Sequence, residues 1–152
     1  MLGVHFAITA DHERLLLATD AGIGEILEDI EESWDDDVLS VSTDKAWDEM
    51  HRCLSDGTLD PDGGEYPLSY AVLGGRHLHE EYYVVYLNAA EVCDVAEGLS
   101  RVDEAWLRQR FDAIEDADHG GDFGYVWENF VDVRAFYERA AKAGRAVIFT
   151  AT

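Results

Sequence analysis

The stretch Asp44-Lys-Ala-Trp-Asp-Glu-Met-His-Arg-Cys-Leu54 is followed, after a loop, by the apolar segment Pro67-Leu-Ser-Tyr-Ala-Val-Leu-Gly-Gly75. The first stretch is predicted to be an amphipathic helix, because apolar side chains recur on one face at Trp47, Met50 and Leu54. The second stretch opens with a proline and closes with two glycines, which is typical of a constrained loop. Together they predict a helix packed against a loop, with His51 at the edge of the helix's buried face.

Three other stretches have the composition of β-strands. Residues 2–9 alternate enough for a strand, and the apolar runs at 81–87 and 145–150 are β-branched and aromatic. Helical patterns separate these strands, at 11–19, 24–34, 44–54, 89–99, 103–114 and 123–143, with a further extended segment at 38–41. We therefore predict one α+β domain over residues 1–152, in which a small mixed sheet packs against several helices.

The chain is strongly acidic, with 33 Asp and Glu against 11 Lys and Arg and a formal net charge of −22. Such a field repels phosphate backbones and anionic lipids, so we expect neither a nucleic acid nor a membrane as partner. It would attract a basic protein, although acidity that only maintains solubility is the simpler interpretation. Oligomeric state is not encoded in these patterns.

The compartment and cofactor predictions rest on features that the chain lacks. The N-terminal residues carry no basic leader, and no apolar run has the length of a membrane span. Cys53 and Cys93 are far apart and have no metal-ligand or redox spacing, so we expect two free, buried thiols. These observations predict a cytoplasmic protein without a cofactor.

His51 is the strongest candidate for chemistry. On the helical wheel Asp44 and Asp48 flank it, and nearby carboxylates favour a protonated imidazole. His51 could then be the acid or base of a hydrolase or a metal-assisted enzyme. The alternative is a boundary histidine that stacks beside Trp47 and hydrogen-bonds a loop carbonyl. A non-catalytic binding surface formed by Trp47, His51 and Tyr70 is the function that we favour.

The remaining histidines give weaker predictions. In an extended segment His77 and His79 point the same way, and two glutamates follow them, which is a pattern that can hold zinc, nickel or iron. We favour a solvated loop instead, because the segment does not identify a third ligand. His119 and Asp122 bound a glycine turn without further support for chemistry. His5 is expected on the polar side of the first strand.

The helix and loop quoted first also carry a family resemblance. They resemble the YfbM-like family of small bacterial proteins, whose pattern pairs a Lys-x-Trp-x-x-Leu-His helix with a Pro-Leu-x-x-Ala-Val-Leu-Gly loop. The matching residues are Lys45, Trp47, His51, Pro67, Leu68, Ala71, Val72, Leu73 and Gly74. Met50 stands where leucine is usual, which conserves volume.

The resemblance implies a mixed α+β domain of about this length, without an established activity and without catalytic residues to carry over. The functional prediction is therefore a small acidic binding module. An enzyme that uses His51 is the alternative. An immunity or inhibitor protein that mimics an anionic substrate is a third interpretation, which rests on charge alone.

Overall fold

A computed structural model of the chain describes residues 1–18, 22–32, 40–79, 82–114 and 122–152. The strands are β1 (Gly3–Ile8), β2 (Ser40–Asp44), β3 (Arg76–His77), β4 (Val84–Leu87) and β5 (Ala146–Ala151). The helices are α1 (Ala10–Ala18), α2 (Ile23–Glu31), α3 (Trp47–Leu54), α4 (Ala89–Ser100), α5 (Glu104–Asp112) and α6 (Phe123–Lys142). A 3-10 turn at Leu68–Tyr70 lies between α3 and β3. The predicted α+β class is confirmed.

The strands form one sheet in the order β2-β1-β5-β4-β3. Strand β5 lies at its centre, where Thr150 is opposite Val4 of β1 on one side and Val84 of β4 on the other. We expected a mixed sheet, but every pairing between the described strands is antiparallel. The order of strands along a chain does not determine their relative direction, which depends on how each connection returns to the sheet.

Helices cover both faces of the sheet, and this decides which strand residues are buried. One face packs against α1 and α2, with Phe6, Ile8 and Ile148 among its buried residues. The opposite face packs against a larger core built with α3, α4, α5 and α6, to which Ala7 and Phe149 contribute. Because side chains alternate across a strand, both sets of positions in β1 and β5 are buried.

Several predicted helix ends are confirmed by their hydrogen bonds. The Asn88 side chain accepts from the Glu91 amide and Glu91 accepts from the Asn88 amide, both at 2.9 Å, which forms a capping box at the start of α4. The Asp103 carboxylate accepts from the Trp106 amide at 2.8 Å at the start of α5. Gly144 follows α6 with a φ of 68°, a conformation that favours glycine.

The start of α3 differs from the prediction. We expected Asp44 to cap this helix, but Asp44 is the last residue of β2, and α3 begins at Trp47. Pairing with Gly3 and a hydrogen bond from the Tyr125 hydroxyl at 2.7 Å hold Asp44 in place, with a φ of 49°. The predicted extension of α2 to Trp34 and the turn at His119 lie outside the described residues.

Candidate functional site

His51 is buried under the loop that follows α3. Its side chain has 0% exposure, and its Nε2 donates to the carbonyl oxygen of Asp60 at 2.9 Å. The Ser55 hydroxyl donates to the His51 carbonyl oxygen at 2.6 Å, so helix and loop are joined at both ends of the residue. The Nδ1 atom is buried and has no hydrogen-bond partner in the described part of the chain. In this conformation the imidazole cannot reach a substrate.

The charge state of His51 also differs from the expectation. Burial lowers the pKa of His51 below its ordinary value, although the Asp60 carbonyl and the negative charges of Asp56, Asp60 and Asp48 act in the opposite direction. The neutral imidazole is therefore favoured near neutral pH, rather than the protonated form that nearby carboxylates alone would favour.

The two carboxylates expected to orient His51 have other partners. Asp44 accepts a hydrogen bond from Tyr125, and Asp48 accepts one from Arg52 Nε at 2.8 Å along α3. The structure thus places His51 where a structural histidine would lie, bonded to a loop carbonyl. An acid–base role stays a prediction, and it requires the loop after α3 to move and expose the ring.

Trp47 is half-buried and tied to the start of the chain. Its indole Nε1 donates to the Met1 carbonyl oxygen at 3.0 Å, and its ring lies 6.1 Å from that of Phe149. A Cβ on Gly3 would lie 2.7 Å from Trp47 Cδ1, so the indole covers the backbone of β1 at this glycine. These contacts account for the position of Trp47 by packing against the sheet.

Tyr70 belongs to a second group of side chains, beside the first turns of α4. The Tyr66 and Tyr70 rings meet edge to face at 4.9 Å, and the Tyr66 hydroxyl donates to the Asp94 carboxylate. Partial burial and this hydrogen bond raise the pKa of Tyr66 to about 12. Arg76 pairs with both carboxylate oxygens of Glu91 nearby. We call Tyr66, Tyr70, Glu91 and Asp94 the tyrosine–acid surface.

The segment that carries the two tyrosines is anchored on α4. Gly98 has no side chain, and Pro67 Cγ and Leu68 Cδ2 lie only 3.0 and 3.2 Å from the position that a Cβ would take. The Ser69 amide also donates to the Glu65 carbonyl oxygen at 3.0 Å. Close packing of this segment against a helix limits the orientations of Tyr66 and Tyr70 before any partner arrives.

His5 is the polar residue that the sequence analysis placed wrongly. It is fully buried among Phe136, Tyr137 and Phe149, on the face of β1 that contacts the larger core. Its Nε2 donates to the Ala71 carbonyl oxygen at 2.8 Å, and the Tyr137 hydroxyl donates to the same oxygen at 2.8 Å. Alternation put His5 on the face opposite Phe6, but no sequence pattern indicates that helices cover that face too.

The His77 and His79 pair is not brought together with further ligands in the described residues. The His77 ring packs edge to face on Tyr83 at 5.3 Å, and the His79 ring lies 5.2 Å from that of Tyr82. Among the described residues, no group of three or more His, Cys, Asp and Glu side chains could hold a metal ion. The two glutamates that follow His79 lie outside the described ranges, as does His119.

The two cysteines have different environments. Cys53 is buried in α3, and burial raises the pKa of its thiol to about 12. Arg110 Nε donates to the Cys53 carbonyl oxygen at 3.0 Å, which links the end of α3 to α5. Cys93 is exposed on α4, so the expectation of two buried thiols is wrong for this residue. A helix position facing solvent cannot be identified from cysteine's average burial.

Comparison with known proteins gives a family but no activity. Searching curated proteins found no match. The crystal structure of YfbM, a protein of unknown function from Escherichia coli, is similar, with a TM-score of 0.72 and 21% identity over 98% of each chain. At this identity the likeness concerns the fold. None of the described helices is both long and apolar enough to cross a membrane. A family model described as a domain of unknown function, DUF1877, matches residues 1–150, and the chain therefore belongs to this YfbM-like family.

Proposed function

We propose that the protein is a non-enzymatic binding module that recognises a basic protein partner through the tyrosine–acid surface. The observation that carries the proposal is the arrangement of Tyr66, which is 48% exposed, rests against Tyr70 and is hydrogen-bonded to Asp94. A tyrosine face beside an exposed carboxylate suits an arginine or lysine side chain, which gains both a cation–π contact and a charge contact.

The charge of the whole chain supports the same class of partner. A net charge of −22 attracts a cationic surface at long range and accelerates the encounter at low salt. Glu91 is already paired with Arg76, so within the tyrosine–acid surface Asp94 carries the exposed negative charge. This narrows the expected binding residues: Tyr70 stays in the proposal, whereas the buried His51 contacts no partner in this conformation.

A pull-down from a cell lysate at moderate salt tests the proposal. The immobilised chain is compared with a Tyr66→Ala/Asp94→Asn variant, which is expected to retain the basic partner about tenfold less. The matched control is Tyr125→Ala/Asp44→Asn, because Tyr125 and Asp44 form another hydrogen-bonded tyrosine–aspartate pair elsewhere on the chain. Equal retention by both variants, or retention of acidic proteins, would contradict the proposed surface.

We further propose the cytoplasm as the compartment, which the two unpaired cysteines support. The alternative of a hydrolase or metal-assisted enzyme at His51 has less support, because the ring is buried and its pKa is lowered. The interpretation as an immunity or inhibitor protein would use the same acidity, and identification of the retained partner distinguishes it from a general binding module.

A further inference from the structure

A small cavity lies where α2 meets one end of the sheet, on the side opposite the larger core. Its volume is about 220 Å³, which is below the roughly 300–1,000 Å³ that drug-sized ligands occupy. The cavity can therefore take a small molecule or a single side chain. The lining residues are Gly24, Leu27, Glu28, Glu31, Tyr82, Tyr83, Thr150 and Thr152.

One wall of the cavity is a single stripe of α2. The four residues from this helix are spaced by three or four positions, from Gly24 to Glu31, so they share one face. Leu27 is buried at the base of the stripe, and Glu28 and Glu31 are exposed at its rim. Neither glutamate forms an ion pair with a residue in the described ranges, and no lysine or arginine among those residues lines the cavity.

The opposite wall is aromatic. The Tyr82 hydroxyl would lie 2.9 Å from a Cβ on Gly24, so the absence of a side chain at this glycine lets the tyrosine approach α2. The Tyr82 amide donates to His79 Nδ1 at 3.4 Å and the two rings lie 5.2 Å apart, which supports the tyrosine from its other side. Tyr82 is nevertheless 46% exposed, a large fraction for an aromatic side chain.

The floor of the cavity holds a polar atom with no partner. Thr150 is only 6% exposed, and it follows Ile148 on the same face of β5. Its hydroxyl makes no hydrogen bond with any residue that the structure describes, although its backbone pairs with both neighbouring strands. A buried hydroxyl usually finds a partner, and here the open side of the residue faces the cavity.

We propose that this cavity binds a guanidinium group. A planar guanidinium can stack on Tyr82 while its N–H groups donate to the carboxylates of Glu28 and Glu31 and to the Thr150 hydroxyl. The cavity offers acceptors, an aromatic face and two negative charges, and a guanidinium supplies the complementary donors, planarity and positive charge. The group could belong to a small free molecule or to an arginine side chain of another protein. The tyrosine–acid surface is built from different residues.

Three probes test the proposal and distinguish the two sources. Amide NMR spectra are recorded with agmatine as the free cation, with N-acetylarginine methylamide as the protein-like form, and with the uncharged N-acetylcitrulline methylamide. We expect both guanidinium probes, or agmatine alone if only a free molecule fits, to shift the amides of Gly24, Tyr82 and Thr150. Citrulline is expected to bind about tenfold more weakly or not at all.

A pair of double variants separates the cavity from the general acidity of the chain. Glu28→Gln/Glu31→Gln is expected to weaken agmatine binding about tenfold. Glu25→Gln/Glu32→Gln removes the same charge from the same helix, at exposed residues that do not line the cavity, and is expected to change binding less than about twofold. Tyr82→Leu should weaken binding as well, through loss of the aromatic face.

Equal weakening by the two double variants, or equal binding of citrulline, would overturn the proposal, because attraction by net charge alone would then explain the data. Absence of shifts in the cavity amides with all probes would overturn it too. Shifts confined to the amides of residues 66–70 and 91–94 would instead locate cation binding on the tyrosine–acid surface, so this result would refute the cavity and leave the proposed function standing.

Discussion

His5 is expected to make the fold sensitive to mild acid. Burial lowers the pKa of this histidine from 6.5 to about 4, partly offset by its bond to the Ala71 carbonyl. The His5→Phe substitution removes the titrating group while keeping an aromatic ring among Phe136, Tyr137 and Phe149. The Ala71 carbonyl oxygen retains the hydrogen bond from the Tyr137 hydroxyl, so the substitution leaves no acceptor unpaired.

The direction of the effect follows from where the proton binds. The unfolded chain protonates His5 as the pH falls below about 6.5, whereas the folded chain does so only near 4. The free energy of unfolding is therefore highest above pH 6.5 and decreases as the pH falls towards 4. The complete interval corresponds to about 3 kcal/mol, of which about 2 kcal/mol is lost by pH 5.

Urea unfolding followed by tryptophan fluorescence at pH 8, 7, 6 and 5, at constant ionic strength, measures this loss. Between pH 8 and pH 5 the wild-type chain should lose about 2 kcal/mol more than the His5→Phe variant. At pH 8 the two proteins should differ by about 1 kcal/mol, the contribution of one hydrogen bond. The carboxylates and the buried His51 titrate in both proteins, so their contributions cancel in the difference.

Tyr137→Phe is the matched control, because it removes the other hydrogen bond to the Ala71 carbonyl without removing a group that titrates in this pH range. Burial raises the pKa of the Tyr137 hydroxyl further above its ordinary value. This variant should lose stability equally at all four pH values. Parallel curves for wild type and His5→Phe, or a flattened curve for Tyr137→Phe, would refute the assignment of the acid sensitivity to His5.

Three further predictions concern packing and access. His51→Ala should lower the free energy of unfolding by about 2–4 kcal/mol in urea titrations, through the cavity and the lost loop contact, and a loss below about 1 kcal/mol would contradict a structural role. Gly75→Ala should cost about 1–3 kcal/mol more than Gly57→Ala, because both have positive φ but only at Gly75 would a Cβ meet Leu87 at 2.8 Å. Ellman's reagent should modify the exposed Cys93 in the native protein and reach the buried Cys53 only on unfolding, and rapid modification of both thiols would contradict the packing of α3.

The predicted elements succeeded where interactions between near neighbours decide the structure. The capping residues Asn88 and Asp103 and the helix-ending Gly144 act within a few residues, so their roles were readable from the sequence. The N-terminus of α3 was misplaced because Asp44 has two options. A strand pairing with Gly3 and a hydrogen bond from Tyr125, both distant in sequence, prevail over its preference for a helix cap.

The candidate site was only partly predictable for the same reason. Tyr70 could be named from the loop, but its neighbours Tyr66 and Asp94 are brought together by the packing of that loop on α4. The cavity at the end of the sheet involves α2, the residues before β4 and the end of β5, which are more than 50 residues apart at each step. No local pattern contains that juxtaposition.

By itself, the sequence determined the fold class, the family, the approximate strands and helices and the acidity, because periodicity, capping and charge are properties of neighbouring residues or of composition. Tertiary structure alone decided which polar groups are buried. His5 and His51 lie on stretches that look half-exposed, and both are enclosed only because a second layer of helices or a loop covers them. Burial depends on what packs above a residue, and in this chain those atoms come from segments distant in sequence.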